Sequence, residues 1–126
     1  MDNEPRLDEN APSVEALRAA ADSHPADRQA RVSLGWELYA LKRNAEAVEA
    51  FEAAEKLDSS DPEASYGLGL ALRRAGKLEE AQTAFQAVID FAAKIEAPAR
   101  ATMFTRLAKG QISMIETGDW HLDARG

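Results

Sequence analysis

Residues 28–61 read RQARVSLGWELYALKRNAEAVEAFEAAEKLDSSD, and residues 62–95 read PEASYGLGLALRRAGKLEEAQTAFQAVIDFAAKI. Laid one over the other without a gap, the two segments place Leu34 on Leu68, Gly35 on Gly69 and Leu38 on Leu72. Ala47 falls on Ala81, Ala50 on Ala84 and Phe51 on Phe85, while Asp27 and Asp61 stand just before the two copies. A fixed period of this length is the mark of stacked repeats. Within each copy the apolar matches are one helical turn apart, as with Leu34 and Leu38 or Ala47 and Phe51.

Each copy therefore reads as two helices. SLGWELYAL and YGLGLALRRA belong to the first, and NAEAVEAFEAAEKL and LEEAQTAFQAVIDF to the second. The polar turns Lys42-Arg43-Asn44 and Gly76-Lys77 are short enough to force antiparallel neighbours. Gly76 suits a helix C-terminus. Gly35 and Gly69 sit in helix interiors, where glycine costs about 1 kcal/mol relative to alanine. The expectation is that each lets a neighbouring helix come close, with Ala47 and Ala81 as the residues it meets.

These residues resemble the tetratricopeptide repeat. The likeness rests on Leu34, Gly35, Leu38, Ala47, Phe51 and Ala54 in the first copy, and on Leu68, Gly69, Leu72, Ala81 and Phe85 in the second. The family's early Trp is replaced by Arg31 and Ser65, and its closing Pro by Ser59 and Ala93. The resemblance implies an all-α fold, a right-handed α-solenoid of about six antiparallel helices. It also implies a concave groove, lined by the first helix of each pair, that binds an extended peptide. Its positions fall on Val32, Trp36 and Tyr39 in the first copy, and on Tyr66, Leu70, Arg73 and Arg74 in the second. Arg106 and Lys109 join them if the last helix starts at Pro98. Some family members grip acidic chaperone tails with a Lys and Asn clamp. The matching positions here are Val32, Trp36 and Gly67, so a heat-shock co-chaperone is not expected.

The flanks extend the pattern. Residues 1–10 are polar and acidic and read as a disordered tail. Residues 11–126 read as one domain: a capping half repeat at 11–27, repeats at 28–61 and 62–95, and a terminal helix and tail at 96–126. The cap is expected as a helix over 11–23, with Pro12 in its first turn and Val14, Leu17 and Ala21 on its apolar side. Pro98 forces the residue before it out of the helical region and opens the last helix, which Gly118 stops. Met103, Phe104, Leu107, Ala108, Ile112 and Ile115 are its expected core stripe, and Trp120 and Leu122 are expected anchors for the tail.

Composition narrows the function. There are no cysteines, which removes disulfides and thiolate chemistry. The two histidines, His24 and His121, have no second ligand at helical spacing. Gly67-Leu68-Gly69 lies within a helix and lacks a phosphate loop's third glycine. No cofactor, metal site or enzymatic activity is expected. With 15 Lys and Arg against 22 Asp and Glu, the net charge of −7 argues against a nucleic-acid partner. No apolar run is long enough to span a bilayer, so no membrane partner and a cytoplasmic location are expected. The reading is a scaffold that binds a protein or peptide segment carrying apolar and acidic residues. The alternative is a homo-oligomerisation module whose groove is filled by its own chain or a second copy.

Overall fold

The computed structural model describes residues 13–58 and 61–118. They form six α-helices: α1 Val14–Ser23, α2 Arg28–Ala40, α3 Asn44–Leu57, α4 Pro62–Arg74, α5 Leu78–Ala92 and α6 Pro98–Thr117. Four of the starts have a cap or a proline as their local cause. Ser13 caps α1 by accepting from the Ala16 amide, and Asp27 caps α2 by accepting from Ala30. The cap thus places the start of α1 at Val14, later than the sequence pattern suggested; Ala11 and Pro12 lie outside the described residues. Asp61 caps α4 by accepting from the Glu63 amide, and its other oxygen lies 2.8 Å from an Arg28 guanidinium nitrogen at the start of α2. Ala97 is extended before Pro98, as proline demands of its predecessor.

The two turns that follow α2 and α4 are copies of each other. Lys42 and Gly76 both adopt the left-handed conformation, with φ of 64° and 86°. The next amides, Arg43 and Lys77, each donate back to the carbonyls of Leu38 and Leu72 at 2.9 Å. That bonding pattern satisfies carbonyls that a helix end leaves open and turns the chain back on itself.

Helices pack with their sequence neighbours throughout. In addition, α2 approaches α4 and α4 approaches α6, whereas the backbones of α1, α3 and α5 nowhere come within 8 Å of one another. Such a stack is curved, with α2, α4 and α6 on the inner side.

The core runs along the stack. Phe51 and Phe85 are completely buried, as are Leu38, Ala47, Ala54, Ala81 and Val88. The helix-interior glycines do make room, but for the phenylalanines rather than for Ala47 and Ala81. A Cβ on Gly35 would stand 2.8 Å from the Phe51 ring, and one on Gly69 would stand 2.5 Å from Phe85. Gly67 faces Phe51 from the next repeat, so this ring is enclosed by glycines of α2 and α4. Ser65, where the family has its early Trp, is buried and donates to a Glu55 carboxylate oxygen at 2.7 Å.

The α6 stripe departs from expectation. Phe104 and Ala108 are buried and Leu107, Ile112 and Ile115 are half-buried, but Met103 is 46% exposed. Among the described residues, no helix is long and apolar enough to cross a membrane.

Candidate functional site

On the inner side, Trp36 and Tyr39 of α2 stand beside Tyr66, Leu70 and Arg73 of α4, all of them half-buried. Their placement follows from helical phase: the opposite faces of α2 and α4 carry Leu34, Leu38, Leu68 and Leu72 into the core. Trp36 meets the Phe51 ring edge-on, at 4.9 Å between centroids, and Tyr39 at 6.2 Å. Its indole N–H donates to a Glu63 carboxylate oxygen of α4 at 3.1 Å, which fixes the ring across the junction of two repeats. The terminal helix does not cover it, since α6 packs on α5 and α4 and makes no approach to α2.

Val32 is not part of the open surface of this face. It stands one turn before Trp36 on the same side of α2, but it is fully buried and leaves a ligand no surface.

Arg73 and Arg74 differ. The Arg74 guanidinium lies 3.7 Å over the Tyr39 ring and donates to the Tyr39 carbonyl at 2.7 Å. It therefore closes the C-terminus of α2 and ties two repeats together, with its positive charge against helix-end carbonyls and an aromatic face. Arg73 is the freer of the pair: its Nε is buried and has no hydrogen-bond partner.

The α4–α6 junction centres on Tyr66. Its ring packs on Phe85 and Phe104, at 5.6 and 6.4 Å between centroids. The Gln111 side-chain amide donates to its hydroxyl at 3.3 Å, while Gln111 Oε1 is buried without a partner. Burial pushes the Tyr66 phenol up from its ordinary value. The Gln111 hydrogen bond works against that shift, the neighbouring Tyr39 adds to it and Arg73 opposes it. Tyr39, Tyr66, Arg73 and Gln111 are thus electrostatically one cluster. Gln111 was not legible as a member of this cluster, because a lone glutamine in an apolar helical stripe carries no spacing signal.

Arg106 and Lys109 are not part of it, although α6 does begin at Pro98. Arg106 lines a cleft of about 270 Å³ with Ala101, Thr102 and Thr105 of α6 and Ala92, Ala93 and Ile95 at the end of α5. At about 100° per residue, Lys109 lies roughly 140° around α6 from Phe104, away from α4. The helix is rotated relative to α4, since Phe104 and Gln111 are what it turns toward Tyr66. Trp120, His121 and Leu122 lie outside the described residues. Among the described residues no group of three or more His, Asp or Glu could hold a metal ion.

The family model described as tetratricopeptide repeat matches residues 7–62 and 32–98. No curated protein sequence matches the chain significantly. Among solved structures it is similar to the type III secretion translocator chaperone SycD of Yersinia enterocolitica, in a crystal structure of an alternative dimer. The TM-score is 0.74 at 18% identity, over 83% of this chain and 77% of that one. At that identity the likeness is one of fold.

Proposed function

Because this chain belongs to the tetratricopeptide-repeat family, we propose that it is a protein-interaction scaffold whose inner face, across α2 and α4, binds an extended segment of a partner. The observation that carries the reading is the row Trp36, Tyr39, Tyr66, Leu70 and Arg73, half-buried on two successive inner helices. Aromatic and arginine side chains dominate interface energies because they bury much area at little entropic cost. Here Glu63 already holds the Trp36 ring in place, so ordering it costs a ligand little.

The ligand chemistry follows from the same row. Trp36, Tyr39 and Leu70 offer apolar contact. Arg73 offers a guanidinium, which takes carboxylates in bidentate fashion. The favoured segment combines an apolar residue with an acidic one. The whole chain is acidic, with a net charge of −7, so attraction comes from Arg73 over a Debye length of about 8 Å at physiological salt.

A peptide array probed with the full chain tests this. Peptides pairing leucine with aspartate should be retained, and Trp36→Ala should weaken their binding about tenfold or more. Arg73→Glu should weaken it and abolish its salt dependence while leaving the helical circular dichroism intact. Retention unaffected by either change would refute a groove at these residues.

A further inference from the structure

Three apolar side chains of α6 remain outside the groove described so far: Met103, Leu107 and Met114. Their side of the helix follows from its neighbours. On one flank α6 meets α5, where Glu116 accepts from Gln82 and where Ala101 and Thr105 line the cleft against Ala92 and Ile95. On the other flank Phe104 and Gln111 meet Tyr66 of α4. Continuing around the helix past Gln111, away from α5, at about 100° per residue, come Arg100, whose guanidinium lies over the Phe104 ring, then Leu107, Met114 and Met103, and last Gly110, which is buried. This is the inner side of the stack. Met103 and Met114 are 46% and 36% exposed, two of the few large apolar side chains that are.

We propose that the binding groove continues onto α6 as an apolar shelf made by Met103, Leu107 and Met114, which takes a second apolar side chain of the partner segment. This rests on the groove reading above and adds the ligand's spacing to it. Methionine suits such a surface because its unbranched, polarisable side chain repacks around different shapes. Between the shelf and the Trp36–Tyr39 end stands the polar step of the floor. There Arg73 Nε is a buried donor and Gln111 Oε1 a buried acceptor, both without partners. The carbonyl and the N–H of a main chain crossing that point are the kinds of partner these two atoms lack. Leaving such groups unsatisfied is costly, so a ligand that supplies partners is favoured there.

The geometry also sets a ruler. Neighbouring packed helices stand about 8–10 Å apart, so α2 and α6 are separated by roughly 16–20 Å across α4. An extended chain rises about 3.3 Å per residue, which places the two apolar anchors about five to six residues apart. The occupant is thus an extended segment with two apolar anchors at that separation and an acidic residue between them, complementary to Arg73.

The test uses the full chain and synthetic Gly-Ser peptides carrying two leucines at increasing separations with one aspartate between them. The only methionines are Met1, Met103 and Met114, so the protein labelled with 13C at the methionine methyls has three such groups. The peptide with leucines about five to six residues apart should bind most tightly. It should shift the Met103 and Met114 signals and leave that of Met1 in place. The double variant Met103→Gln, Met114→Gln should fold normally, since both sites are exposed. It should bind about tenfold more weakly and lose the dependence on spacing. If Trp36→Ala weakens binding but the methionine signals and the spacing profile do not respond, the shelf is refuted and the groove at α2 and α4 stands. If no peptide of the set binds, the groove reading fails and the shelf with it.

Discussion

Gly67→Ala should destabilise this protein, against the ordinary behaviour of a glycine in a helix. Alanine is favoured over glycine in a helix interior by about 1 kcal/mol, so most such changes are stabilising. At Gly67 the added Cβ would stand 2.5 and 2.8 Å from Cζ and Cδ1 of Phe51. A ring can yield only if there is space behind it. Phe51 is 0% exposed, Trp36 lies edge-on at 4.9 Å between centroids, and Gly35 closes the ring's other flank. Forcing a methyl group into a packed core costs about 1–3 kcal/mol, and a ring with no retreat puts this site at about 3. Subtracting the propensity gain leaves a net loss of about 2 kcal/mol. Urea unfolding followed by far-ultraviolet circular dichroism measures this directly. A double-mutant cycle isolates the cause: in a Phe51→Leu background the ring is gone, and Gly67→Ala should be neutral or stabilising by up to about 1 kcal/mol. If Gly67→Ala raises the stability of the otherwise unchanged protein, the enclosure of Phe51 by glycines is not what holds the two repeats together.

Further outcomes are expected from the turns and from the α4–α6 junction. Lys42 occupies the left-handed position that Gly76 occupies in the next copy, so Lys42→Gly should stabilise the fold by about 1 kcal/mol, read as a rise in the urea midpoint; an unchanged or lower midpoint would mean the turn is not strained. Tyr66 has its phenol pushed up by burial, so it should ionise later than an ordinary tyrosine near pH 10, visible as a delayed step in tyrosinate absorbance. The sign follows: the stabilisation tied to the neutral phenol is present below about pH 10 and disappears as pH rises through the higher folded value. Tyr66→Phe should remove that alkaline loss and, by depriving the Gln111 amide of its partner, cost about 1 kcal/mol at neutral pH.

What could be read without coordinates is what depends on neighbours three, four and thirty-four positions away. The pairing of Leu34 with Leu68 and of Phe51 with Phe85 determined the four central helices, their order and the burial of both phenylalanines, because helical phase alone sends those positions inward. The turn at Gly76 was legible for the same reason, since a left-handed residue is a local requirement. The face proposed as the groove was legible only in part. That Trp36, Tyr39, Tyr66, Leu70 and Arg73 lie half-buried on the first helices of the two copies was foreseeable from their place in the period, but Val32 beside them is core, and Arg74 is spent on the end of α2.

The tertiary structure decided the rest, and most of it concerns α6. An amphipathic helix has an apolar stripe wider than any one neighbour can cover, so which part is buried depends on how the helices beside it are placed. In α4 helices lie on both flanks, α3 and α5, and Leu68 and Leu72 are both buried. In α6 only α5 and α4 approach among the described residues, so Phe104, Ala108 and Gln111 turn inward while Met103 stays at the surface. That rotation carries Arg106 to the outer cleft and brings Gln111 to Tyr66. A period read along the chain cannot report it, because the angle of a helix about its own axis is set by its neighbours in space.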